Sequence, residues 1–188
     1  MQYTEKQIEQ YLSDYLKANK EEIKNRLRFL LQNWKIEDQV IAPDVYYCLE
    51  EAKHSFMMGD FVASIIMCAV TIERHLSRLL SLPFHAPADE KASLEFVGEK
   101  IIKSAQEKRI INNDFKKKLL ELNKIRNDFV HGIDSEAHKR PQKKDPIENT
   151  FMWTEPTYAK EIEKNAKKSI IILFEVMNKL HYSRLSYY

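Results

Sequence analysis

Residues 61–80 read FVASIIMCAVTIERHLSRLL. Their apolar side chains recur at i, i+3 and i+4, the period of an α-helix. One ridge carries Val62, Ile66, Ala69, Glu73, Leu76 and Leu80. The ridge beside it carries Phe61, Ile65, Cys68, Ile72, His75 and Leu79. Glu73 thus stands on an apolar face. A carboxylate there must be paired or hydrogen-bonded, unless it lies at the edge of the stripe and reaches water along its own stem.

The same period extends in both directions. Gly59-Asp60 reads as a helix stop followed by a new N-cap. Before it, a helix is expected from Pro43, which suits a first turn, to about Met58. Nearer the N-terminus, Ile8, Tyr11, Leu12, Tyr15 and Leu16 form one stripe. Ile23, Leu27, Leu30, Leu31 and Trp34 form another, with Asn19 between them, so this is one long helix or two shorter ones. After residue 80, Pro83 and Pro87 bracket a loop. A helix follows from about Asp89 to Lys108, which places Gly98 inside it. Another runs from about Asn112 to His131, with Asn-Asn-Asp as cap material and Gly132 as its C-terminal stop. A polar stretch from Gly132 to Glu155 contains a basic cluster, HKRPQKK, and reads as a long surface loop. The last helix spans about Glu155 to Arg184. Its run Ile170-Ile171-Ile172-Leu173-Phe174 covers more than one face, which places it centrally in a bundle or against a partner.

Composition agrees with an all-α reading. The chain has 188 residues and only 3 Gly, where average usage of about 7% predicts roughly 13. A sandwich or barrel of many short strands needs more turn glycines. The Gly-rich phosphate loops, G-x-G-x-x-G and G-x-x-x-x-G-K-[ST], are absent from the sequence. One domain covering 1–188 is expected. The net charge of +2 names no partner by itself. There is no apolar run of membrane-spanning length, and the first ten residues, MQYTEKQIEQ, resemble no signal peptide. Cys48 and Cys68 fall in apolar helical patterns and read as buried reduced thiols in a cytoplasmic protein.

Chemistry concentrates at Arg126-Asn-Asp-Phe-Val-His131. Arg126 and His131 straddle the ridge of Phe115, Leu119, Leu122, Ile125 and Phe129, with Asn127 and Val130 between them on the outer surface. A helix C-terminus favours a protonated imidazole at His131. A titratable His, a permanently charged Arg and an amide make a constellation suited to phosphodiester chemistry, although an Arg and a His at a helix end are commonly surface or salt-bridge residues. From Arg109 to Arg126 the basic residues Arg109, Lys116, Lys117, Lys118, Lys124 and Arg126 outnumber Asp114 and Glu121. The loop adds Lys139, Arg140, Lys143 and Lys144. Such a strip can track a phosphate backbone or be an ordinary solvated face. Phe151 and Trp153 are available for base stacking or for the core. A di-iron reading from Glu51/His54 and Asp128/His131 is disfavoured, since two E-x-x-H pairs are needed, so no metal is expected.

The R-N-D-F-V-H stretch resembles the R-x4-6-H motif of the HEPN superfamily, in which a polar residue commonly follows the Arg, as Asn127 does here. The stretch GDFVASIIMCAVTIERHL is similar to the second core helix of many members, including a Glu at Glu73. The resemblance runs from about Pro43 to His181. It implies a four-helix HEPN-like core over 43–184, with residues 1–40 as an appended N-terminal helix or helix pair. It also implies a homodimer in which the Arg and His of two subunits share a cleft. Active members are metal-independent endoribonucleases that need no cofactor, often toxins or phage-defence components with an antitoxin protein as partner. Others are non-catalytic modules that bind a nucleotide or a protein. On the first reading His131 supplies acid or base, Arg126 clamps the phosphate, Asn127 orients it and Glu73 holds Arg126. Lys116, Lys117, Lys124, Lys139 and Arg140 would contact RNA.

Overall fold

In the computed structural model the described residues are 4–34, 41–81, 98–130 and 156–180. They form six helices: α1 (Glu5–Asn33), α2 (Pro43–Met58), α3 (Phe61–Leu80), α4 (Glu99–Glu107), α5 (Asn113–Val130) and α6 (Pro156–Lys179), with no strand among the described residues. The fold is an all-α helical bundle. No helix of the described residues is long and apolar enough to cross a membrane.

Local sequence explains most of the boundaries. Thr4 and Gln7 close a capping box at the start of α1: Gln7 N–H donates to Thr4 Oγ1, and Thr4 N–H donates to Gln7 Oε1. The helix then continues through Asn19, whose side-chain amide donates to Tyr15 O at 2.9 Å within its own helix. Residues 5–33 are one helix rather than two. Pro43 opens α2. Gly59 closes it in the left-handed region, φ 89°, and Asp60 N–H reaches back to Ser55 O. Asp60 is the N-cap of α3, but its side chain makes no capping bond. Asn112 caps α5 through Oδ1, which accepts the Phe115 N–H at 2.9 Å.

The bundle is built around α3. It packs most extensively on α2 and α6, with α4 and α5 along its flank. Both of its apolar ridges are consequently used: Ile65, Cys68, Ile72, Leu76 and Leu79 are buried, and so is His75. Small side chains let α2 and α3 approach closely, and the Ser64 hydroxyl donates directly to Ala52 O. The His75 imidazole donates from Nε2 to Leu180 O at 2.6 Å, satisfying a carbonyl just beyond the end of α6. The apolar run of α6 is buried at Ile170, Ile172, Leu173 and Phe174, while Ile171 is on the surface. It faces α3, α2 and α5, so its breadth reflects a central position. Cys48 and Cys68 are both free and buried. Burial pushes the Cys68 thiol pKa up, against a smaller opposing effect from a hydrogen bond to Ser64, which keeps it a protonated packing residue.

One charged contact ties the start of α2 to α3. Asp44 lies 2.8 Å from Arg78 and 3.8 Å from Arg74. Partial burial pulls the Asp44 carboxyl upward. The hydrogen bond and charge of Arg78, with the backbone N–H groups of Asp44 and Val45, outweigh that effect and hold it below its ordinary value. A depressed carboxyl contributes stability that is present above the unfolded pKa of about 3.9 and is lost as pH falls through the lower folded value. Because the pair is half-exposed, Asp44→Asn should cost less than about 1 kcal/mol at pH 7. The urea midpoints of the two proteins should converge in acid. A difference that persists unchanged at acid pH would assign the effect to something other than the carboxylate charge.

Candidate functional site

Three elements meet at Glu73. Its position on α3 places it beside Ala69, Ile72 and Leu76, which form one wall of a cleft with α4 and α5. Gly98, Ile101 and Ile102 line it from the start of α4, and Leu119, Leu122 and Asn123 from α5. Arg126 stands one helical turn beyond Asn123 on α5. The cleft encloses about 20 Å³, room for about one water, so it cannot seat a nucleotide. A larger ligand would have to lie across its outer end.

The carboxylate of Glu73 is only 20% exposed and the guanidinium of Arg126 only 13%. Arg126 Nη2 donates to Glu73 Oε1 at 2.9 Å, across 53 residues of sequence. The acid on the apolar ridge is thus paired, as its placement requires. The same oxygen accepts a second bond, from the backbone N–H of Gly98 at 2.9 Å. Glu73 therefore joins α3 to the first residue before α4 and to Arg126 in the C-terminal half of α5. Among the described residues this is a single hydrogen bond between Arg126 and Glu73 rather than a bidentate pair. The other N–H groups of the fork make no hydrogen bond to another described residue.

Gly98 is the residue that the sequence reading misplaced. It lies at the N-cap of α4, with φ 71° and ψ −118°, and not within a helix. A side chain there would be strained, and a Cβ would come within 2.9 Å of Asn123 Oδ1. This conformation points its N–H at Glu73, and the bare Cα lets α5 approach. A glycine interrupting a helical pattern is the sequence signal for such a position. Asn123, buried on the apolar ridge of α5, was the other missed member.

The remaining sequence candidates divide. Asn127 is half-buried beside Arg126. His131, Lys139 and Arg140 lie outside the described residues, as do Phe151 and Trp153. Lys116 is committed to Gln106 Oε1 at 2.6 Å, and Lys118 to Glu175. Lys117 and Lys124 are exposed, but they share their face of α5 with exposed Glu121 and Asp128, and Glu121 is paired with Lys168. The described part of α5 therefore carries alternating charge rather than a continuous basic track. Glu51 and His54 are exposed on α2, and no group of three potential metal ligands occurs among the described residues. No family model, curated protein or solved structure matches the chain.

Proposed function

We propose that the chain is a HEPN-like, metal-independent endoribonuclease acting at a cleft built on Arg126, Asn127 and His131, with Glu73 as the anchor of Arg126. The observation that carries this reading is the Glu73–Arg126 contact, which holds a permanently charged guanidinium against the one carboxylate that lines the cleft. Asn127 follows on the same helix turn, and His131 comes one residue after its end. RNA supplies its own nucleophile, the 2′-OH, held next to the phosphorus. Cleavage then needs a base for that proton, an acid for the 5′ leaving oxygen and a cation for the phosphorane charge. His131 fits the first two tasks, from one subunit or from two facing subunits of a homodimer. Arg126 fits the third, since its planar fork matches phosphate oxygens. An enzyme of this kind suits a toxin or phage-defence role, with an antitoxin protein as its restraint.

A second reading has its own support. Glu73 Oε1 also accepts the Gly98 N–H, so the ion pair doubles as a strut between three helices. A non-catalytic module binding a nucleotide or a protein would need the strut and nothing more. Incubation of the purified protein with single-stranded RNA in EDTA separates the two. The nuclease reading expects fragments ending in 2′,3′-cyclic phosphate, with DNA of the same sequence left intact for want of a 2′-OH. Intact RNA at every protein concentration tried leaves the module.

A further inference from the structure

The N-terminal helix is far longer than its attachment to the bundle. At 29 residues it is about 44 Å long. Among the described residues, its hydrogen bonds and ring contacts to other helices all come from residues 26–34: Arg26 to Met57 O and over the Phe61 ring, Phe29 against Phe56, and Trp34 against Phe174 and under Lys53. Leu30 is the one buried residue among its described side chains. Among the described residues the first four turns therefore stand as an arm. A helix of that length without tertiary packing is marginal in water. Yet Leu12 is 52% exposed and Leu16 53%, while Leu27 and Leu31 remain uncovered further along, at 41% and 66%.

These side chains form one stripe with an internal symmetry. At about 100° per residue, Leu12, Leu16, Ile23 and Leu27 fall within about 60° of each other around the axis. In an antiparallel pair centred between Asn19 and Lys20, Leu12 lies opposite Leu27 of the other copy and Leu16 opposite Ile23. One register satisfies both pairs, and its centre coincides with the middle of the helix. Charge selects the same orientation. Residues 5–14 hold Glu5, Glu9 and Asp14 against Lys6, whereas residues 24–33 hold Lys24, Arg26 and Arg28 with no acid. Lys24 and Arg26 also have local partners in Glu21 and Glu22. Even so, division at the midpoint leaves the first half at −1 and the second at +2 over residues 5–19 and 20–33. A parallel pair would set like ends together, and an antiparallel pair sets opposite ends together.

We propose that α1 is a dimerisation arm that pairs antiparallel with α1 of a second copy of this chain through Leu12, Leu16, Ile23 and Leu27. The surface lies in the N-terminal extension, outside the segment that resembles HEPN domains, and the proposal does not depend on ribonuclease activity. It is tested on the full chain by sedimentation. The wild type should sediment as a dimer, and Leu12→Glu with Leu16→Glu should halve the mass while the melting temperature of the bundle stays in place, because both side chains are half-exposed and precede the stretch of α1 that bonds to the described bundle. Orientation is read by cysteines, the native pair being buried. Lys20→Cys should form an oxidised dimer, whereas Leu31→Cys should not, since the two copies of residue 31 would be about 35 Å apart at the helical rise. A monomeric wild type, a dimer indifferent to the glutamate pair, or efficient crosslinking at residue 31 would each overturn the proposal. A monomer that binds phosphatidylglycerol vesicles through Leu12 and Leu16 would also overturn it and assign the stripe to a lipid surface.

Discussion

On the proposed ribonuclease reading, replacement of Arg126 by alanine should lower RNA cleavage by about 100- to 1,000-fold, the usual effect of removing one donor from a transition-state oxyanion. The same substitution should cost about 1–3 kcal/mol of stability, because it leaves Glu73 with an unpaired, mostly buried charge. The two effects come apart in Arg126→Lys. An ammonium can still approach Glu73 Oε1 and recover much of the stability. It lacks the planar fork that offers parallel N–H groups to a phosphate, so cleavage should stay low. Urea midpoints and initial cleavage rates on the same preparations provide the comparison. If stability and cleavage return together in the lysine variant, Arg126 acts through the strut alone and its role as phosphate clamp is wrong.

Gly98→Ala is expected to be the most damaging single methyl addition in the described bundle, at about 2–3 kcal/mol for backbone strain at its positive φ. The added Cβ also meets Asn123 Oδ1 at 2.9 Å. Relief of either problem moves the Gly98 N–H away from Glu73, and so loosens Arg126. Asn123→Gly in the Gly98→Ala background should recover the steric part of the loss but not the strain. The double-mutant cycle should therefore show a favourable coupling, read from urea midpoints. Additive losses would mean that Gly98 and Asn123 do not press on one another as the geometry has them.

These two residues also show where sequence reasoning reached its limit. The helix over 61–80 was legible because both of its apolar ridges repeat faithfully, and the start of α2 because Pro43 can open a helix but not sit within one. Glu73 announced a partner because an unpaired carboxylate on an apolar ridge is too costly. Arg126, 53 residues away, met that need. Gly98 was misplaced because the helical period continues past it toward residue 89, and period alone cannot register a residue at positive φ. That α1 is one helix shows in its unbroken backbone through Asn19, while the polar residue between the two stripes left one helix or two open in the pattern. The basic strip on α5 was a count of charges along the chain. On the helix, Lys116 and Lys118 turn to partners, and Lys117 and Lys124 alternate with acids. The leucines of α1 formed apolar stripes in the sequence, and period alone could not say whether those stripes face the bundle; Leu12, Leu16, Leu27 and Leu31 are exposed.

The most direct measurement is a comparison of wild type and His131→Ala for cleavage of single-stranded RNA in EDTA, with thermal unfolding recorded on both. The ribonuclease account predicts 2′,3′-cyclic phosphate ends from the wild type, no cleavage from the variant and the same melting temperature for each. Cleavage by His131→Ala at the wild-type rate would contradict it.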